Sequence, residues 1–74
     1  MLTDVDKAIL DFEAKRFRQA GRKEAAIGEQ LGMASTRYYQ LLNQLIDNPD
    51  ALAYSPVLIN RLRRLRAQRS RREQ

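Results

Sequence analysis

Hydrogen-bonding side chains crowd the stretch STRYYQLLNQ, residues 35–44, and arginines crowd NRLRRLR, residues 60–66. Ser35, Thr36, Arg37, Tyr39, Gln40 and Asn43 carry groups that can meet base edges in a DNA major groove, arginine toward guanine and asparagine or glutamine toward adenine. Arg61, Arg63, Arg64 and Arg66 are permanent cations whose forked donors match phosphate oxygens. Arg22 and Lys23 form a smaller basic pair suited to the same task. The competing explanation is an ordinary solvated helix surface, and for Arg22, Lys23, Asn43 and Gln44 it weighs about as much. Spacing favours contact for Arg37 and Gln40. At 100° per residue, Thr36, Gln40, Asn43 and Asp47 point away from the apolar stripe of Tyr38, Leu41, Leu42 and Leu45. Arg37 and Gln44 fall on one flank of that polar face and Tyr39 on the other.

Other chemistries lack their parts. There is no cysteine and no histidine in the 74 residues, which removes disulfides, thiolate metal sites and the commonest general base. Asp4, Asp6, Asp11 and Glu13 gather near the N-terminus without a glycine-rich phosphate loop, and capping and surface solubility account for them. No catalytic residue, metal or cofactor is expected, and the chain does not read as an enzyme. Residues 1–54 hold seven Lys/Arg against eight Asp/Glu, whereas residues 55–74 hold seven arginines against Glu73, so the net charge of +5 resides in the C-terminal part. Such asymmetry implies a polyanionic partner. No apolar run approaches the ~20 residues of a membrane span, and MLTDVDKAIL has no basic leader or small-residue cleavage pattern. A cytoplasmic, nucleoid location is the expectation.

These side chains need helices to position them. Thr3 and Asp6 have the spacing of a capping box, which starts a first helix at residue 4. Val5, Ala8, Ile9, Phe12 and Ala20 form its inward stripe, with Leu10 and Phe17 at the edge, Arg16 interrupting it, and a stop near Gly21. A second helix covers residues 22–31, with Ala26, Ile27 and Leu31 inward and Gly32 as its stop. A third begins at Ser35 or Thr36 and continues to Asp47, where Pro49 disfavours helical geometry at Asn48. PDALAY reads as a short helical turn. Ser55 and Pro56 then open a fourth, basic helix over 56–66 with Leu58, Leu62 and Leu65 on one seam. After Leu65 the tail AQRSRREQ is expected to fray. The class is all-α: a small bundle of three to four helices over residues 1–66 and an arginine-rich tail over 67–74.

The connection GMA between the second and third helices has the length of a helix-turn-helix unit. In this reading Gly32 takes the left-handed conformation, Gly28 lets the third helix pass close to the second, and Met33 plugs the turn above Tyr38 and Leu41. Gly28, Gly32, Met33, Tyr38 and Leu41, with Ile27 and Leu31, resemble the helix-turn-helix family of DNA-binding proteins over about twenty residues. Gly28 replaces the more usual alanine and Tyr38 the more usual branched aliphatic. More widely, LTDVDKAILDFE, AGRKEAAI, TRYYQLLNQLID and PVLINRLRRLR resemble a family of short, largely uncharacterised actinobacterial proteins with a predicted helix-turn-helix. That resemblance implies a transcription-factor-like domain without an assigned target.

The leading expectation is a DNA-binding transcriptional regulator that inserts helix 35–47 into the major groove and rests its basic C-terminal helix on phosphates. A homodimer would supply the affinity that one motif lacks. A nucleoid-associated or architectural protein with weak sequence preference is the first alternative. The second is a protein-interaction module that docks on transcription machinery through helix 56–66. Attachment of that helix to a membrane surface ranks last, because its apolar face has no aromatic residue.

Overall fold

The computed structural model describes residues 1–15 and 20–72. The expected capping box forms: the Asp6 N–H donates to Thr3 Oγ1 at 3.1 Å and the Thr3 N–H donates to the Asp6 carboxylate at 3.0 Å. It opens α1, Asp4–Ala14. This helix ends well before Gly21, because Lys15 is extended, with ψ of 140°. Arg16 and Phe17, expected on this helix, lie outside the described residues, as does the Ala20 side chain. Gly21 belongs instead to the first turn of α2, Ala20–Ala26.

From Ile27 to Leu31 the helix widens to π geometry and then stops at Gly32. Gly32 has φ of 64°, the left-handed region that a Cβ disfavours, and its N–H donates to the Gly28 carbonyl at 3.1 Å. Gly28 does not serve the close approach expected of it. It faces solvent, and a Cβ built there meets nothing within 4 Å. The π turn alters the angular spacing of residues 27–31, which a uniform 100° projection does not capture.

Three residues later α3 spans Ser35–Ile46, with Ala34 as an N-cap that offers no side-chain hydrogen bond. Asn48 then caps α4, Pro49–Tyr54, by accepting from the Asp50 N–H at 2.9 Å. Ser55 gives its carbonyl to the Ile59 N–H at 3.0 Å, and α5 runs over Pro56–Arg72. The helical span thus extends past residue 66, into the part expected as an arginine-rich tail. Ala67, Gln68 and Arg69 are strong helix formers, and neither glycine nor proline follows Pro56.

The result is an all-α bundle in which α1, α2 with its π turn, α3, α4 and α5 all contribute to one core. Ile9, Leu10, Phe12, Ala26, Ile27, Tyr38, Leu42, Leu45, Ala51, Leu58 and Ile59 are buried, and Leu2, Leu31, Met33, Leu41, Leu52 and Leu62 pack around them. Two inward assignments differ from the sequence reading. Val5 is half exposed while Leu10 is fully buried; α1 packs against both α3 and α5 and so buries two adjacent positions where a single stripe would serve one neighbour. On α5, Ile59 is fully buried and Leu65 is 51% exposed. The inward set is Leu58, Ile59 and Leu62, and Leu65 lies at its edge.

This phase gives a direct expectation. Ile59→Ala should lower unfolding free energy by about 2–5 kcal/mol, because it leaves a cavity in a small core. Leu65→Ala should change it by no more than about 0.5 kcal/mol. Urea denaturation of the two variants checks the difference, and similar losses would mean that Leu65 faces inward.

Candidate nucleic-acid interface

One buried ring fixes the orientation of α3. Tyr38 is wholly inaccessible, and its ring meets Phe12 edge to face with centroids 5.6 Å apart. A tyrosine buried this far needs an acceptor for its hydroxyl. Glu13, at the end of α1, supplies it: the Tyr38 hydroxyl donates to the Glu13 carboxylate. Lys23 of α2 approaches the same carboxylate, with Nζ 2.9 Å from each oxygen. Its ammonium also lies 5.8 Å from the Tyr38 ring centroid and 5.4 Å from that of Tyr39, within cation–π range. Burial, followed by the Glu13 hydrogen bond and charge, raises the Tyr38 pKa well above the usual tyrosine value.

With Tyr38, Leu42, Leu45 and Ile46 turned inward, Thr36, Arg37, Tyr39, Gln40, Asn43 and Gln44 occupy the exposed face. Ser35 is partly buried at the front of the helix. Tyr39 is less independent than the others, since its ring packs edge to face on Tyr38 at 5.0 Å. Five of the six expected base-contacting residues thus share one exposed surface, with Ser35 at its margin.

The expected phosphate contacts divide into two groups. Arg22 and Arg64 are exposed, Arg61 is partly buried, and none of the three has an acidic partner among the described residues. The others are already engaged. Lys23 is held by Glu13 and only 20% of its side chain is exposed. Arg63 donates from Nε to the Ile46 carbonyl at 2.8 Å, satisfying an acceptor that the end of α3 leaves open. Arg66 grips Asp47 through two nitrogens at 2.7 and 3.1 Å. The Arg66 hydrogen bond holds the Asp47 pKa below its usual value and Asp47 raises that of Arg66. These three links were invisible to helical projection, which locates residues on one helix and says nothing of what lies across from it.

The acids of α1 have structural employment too. Asp6 completes the cap, Asp11 accepts from the Tyr54 hydroxyl at 2.9 Å, and Glu13 joins three helices. Glu13 is the functional residue that the sequence reading missed as such. The available signal was the buried Tyr38 itself, whose hydroxyl required an acceptor somewhere in the fold.

The arrangement defines a small helical bundle that presents a polar helix face beside a long arginine-rich helix. A family described as "Protein of unknown function (DUF3263)" matches residues 1–74, and the chain belongs to that family. No curated protein and no solved structure matches it. Among the described residues no helix is long and apolar enough to cross a membrane.

The Tyr38 site also sets a pH expectation. Unfolded tyrosine titrates near pH ~10, whereas the folded group holds its proton to higher pH. Its stabilising contribution is complete below about pH 10 and is lost as the pH rises beyond that value. The urea midpoint should fall as the pH rises from roughly 10 to 12, and Tyr38→Phe should flatten part of the fall. An equally steep fall in Tyr38→Phe would assign the whole effect to other groups.

Proposed function

We propose that this protein binds double-stranded DNA as a transcriptional regulator. In this reading the segment from α2 through the π turn is the first helix of a helix-turn-helix, and α3 is the helix that enters the major groove. The observation that carries it is the composition of the exposed face of α3. Thr36, Arg37, Tyr39, Gln40 and Asn43 stand together on one side of a helix whose other side is anchored through Tyr38, Leu42 and Leu45. Two further features support it. The connection Gly32, Met33 and Ala34 has the length of the motif's turn. Ala34 is the N-cap, so neither hydroxyl of Ser35 or Thr36 is consumed as the N-cap group.

Arg22, Arg61 and Arg64 serve as phosphate contacts in this scheme, while Arg66 must first give up Asp47. Lys23 and Arg63 act from within, by holding the front and the end of α3 in place. The length of α5 favours a second version of the same function. It carries seven arginines and no acid over Pro56–Arg72, which suits an architectural protein that grips DNA with little regard for sequence.

Binding to selected and random duplexes at two salt concentrations tests the proposal. Arg37→Ala or Gln40→Ala should cost about 1–3 kcal/mol on the preferred site and much less on random DNA. Replacing both Arg61 and Arg64 by Gln should weaken all duplexes alike and reduce the slope of log K against log salt by about 0.9 for each phosphate that is no longer neutralised. Equal losses on every duplex for the α3 variants would favour the architectural version. Failure of the unmodified protein to bind any duplex would refute both.

A further inference from the structure

Beyond the exposed face itself, residues of α3 and α5 line an open cleft. Thr36, Tyr39, Gln40 and Asn43 form one wall, and Leu65, Arg66 and Gln68 form the other. Its floor is apolar, made by Leu42, Ile46 and Leu62. Leu65, 51% exposed, and Tyr39, 44% exposed, extend that apolar surface toward the opening. A floor of this kind is a poor seat for a phosphate, which would be desolvated there without donors. It is a good seat for one or two large apolar side chains.

The surrounding charge specifies what should carry those side chains. Glu13, which also lines the cleft, is neutralised by Lys23, and Asp47 by Arg66, the one cation among the lining residues. Arg61 precedes Leu65 by one helical turn, has no acidic partner among the described residues, and belongs to a helix with seven arginines and no acid. A second copy of the chain would bring another such helix, and its apolar contribution is a narrow strip beside the roughly 800 Å² per partner of a standard interface. We propose that the cleft between α3 and α5 is a docking site for an acidic amphipathic helix of another protein, which seats its apolar residues on Leu62 and Leu65 and sets its carboxylates against the arginines of α5. This is the helix-in-groove mode, read by residues at i, i+3, i+4 and i+7. The site stands independently of DNA binding. Because it shares Thr36, Gln40 and Asn43 with the proposed DNA face, an occupied cleft would exclude DNA if that reading holds.

The test uses the full chain without DNA and two fluorescent peptides of identical composition, leucine and glutamate. One peptide places its leucines on a single helical stripe, and the other distributes them around the helix. Fluorescence anisotropy should show the striped peptide binding at least about tenfold more tightly, and Leu65→Glu should remove that advantage. Leu65 is half exposed, and circular dichroism of the variant checks that its helices persist. Arg61→Gln should weaken both peptides. Equal binding of the two peptides would reduce the interaction to charge alone and overturn the proposal, as would a striped peptide that is indifferent to Leu65→Glu. Concentration-dependent dimerisation that Leu65→Glu abolishes would assign the cleft to a second copy and overturn it as well.

Discussion

The carboxylate of Glu13 is the constraint on which the placement of α3 depends. It accepts from the Tyr38 hydroxyl and pairs with Lys23, so α1, α2 and α3 converge on two oxygen atoms. The energetic stake is high because Tyr38 is inaccessible to water and could not replace its partner by solvent. Hydrophobic contacts alone would tolerate some rotation of α3, since leucines adjust to one another. A directional hydrogen bond from a fixed phenol does not. By fixing Tyr38 inward, it fixes which residues lie opposite.

The far end of α3 is held by charge. Arg63 satisfies the Ile46 carbonyl and Arg66 takes both oxygens of Asp47. A cation at this end also complements the partial negative charge of the helix terminus, which Asp47 by itself would aggravate. The Arg66 pair is exposed, and such pairs contribute little to stability and weaken with salt. Its consequence is one of availability: the same arginine cannot serve Asp47 and a phosphate together. The basic helix is thus in part a brace for α3 and in part a free cationic surface, represented by Arg61 and Arg64.

Helix starts and stops were largely legible in the sequence because they depend on local chemistry. The Thr3 cap, the left-handed Gly32, the Ser35 start and the Pro49 and Pro56 openings each need only a few neighbouring residues. The outward set on α3 was legible for a related reason, since Tyr38, Leu42 and Leu45 form a regular stripe. Features that require a partner were not. Glu13 could not be matched to Tyr38, 25 residues away, without the fold. Projection also failed where the geometry departs from 3.6 residues per turn, as at Gly28 in the π segment, and where a helix has two neighbours, as at Leu10 of α1. On α5, the leucine spacing marks a seam through Leu58, Leu62 and Leu65, whereas the surrounding helices enclose Ile59 and leave Leu65 half exposed.

The proposed functions use the two sides of one device. A buried phenol on α3 meets a carboxylate on α1, and the opposite surface of α3 displays the side chains that would meet DNA or flank a docked helix. A double-mutant cycle of Glu13→Ala and Tyr38→Phe, followed by urea denaturation, measures that device directly. If the pair holds α3 as described, the two losses should fall short of additivity by at least about 1 kcal/mol, because either substitution already removes the shared hydrogen bond. Additivity within about 0.5 kcal/mol would contradict the account and leave the orientation of α3 to apolar packing alone.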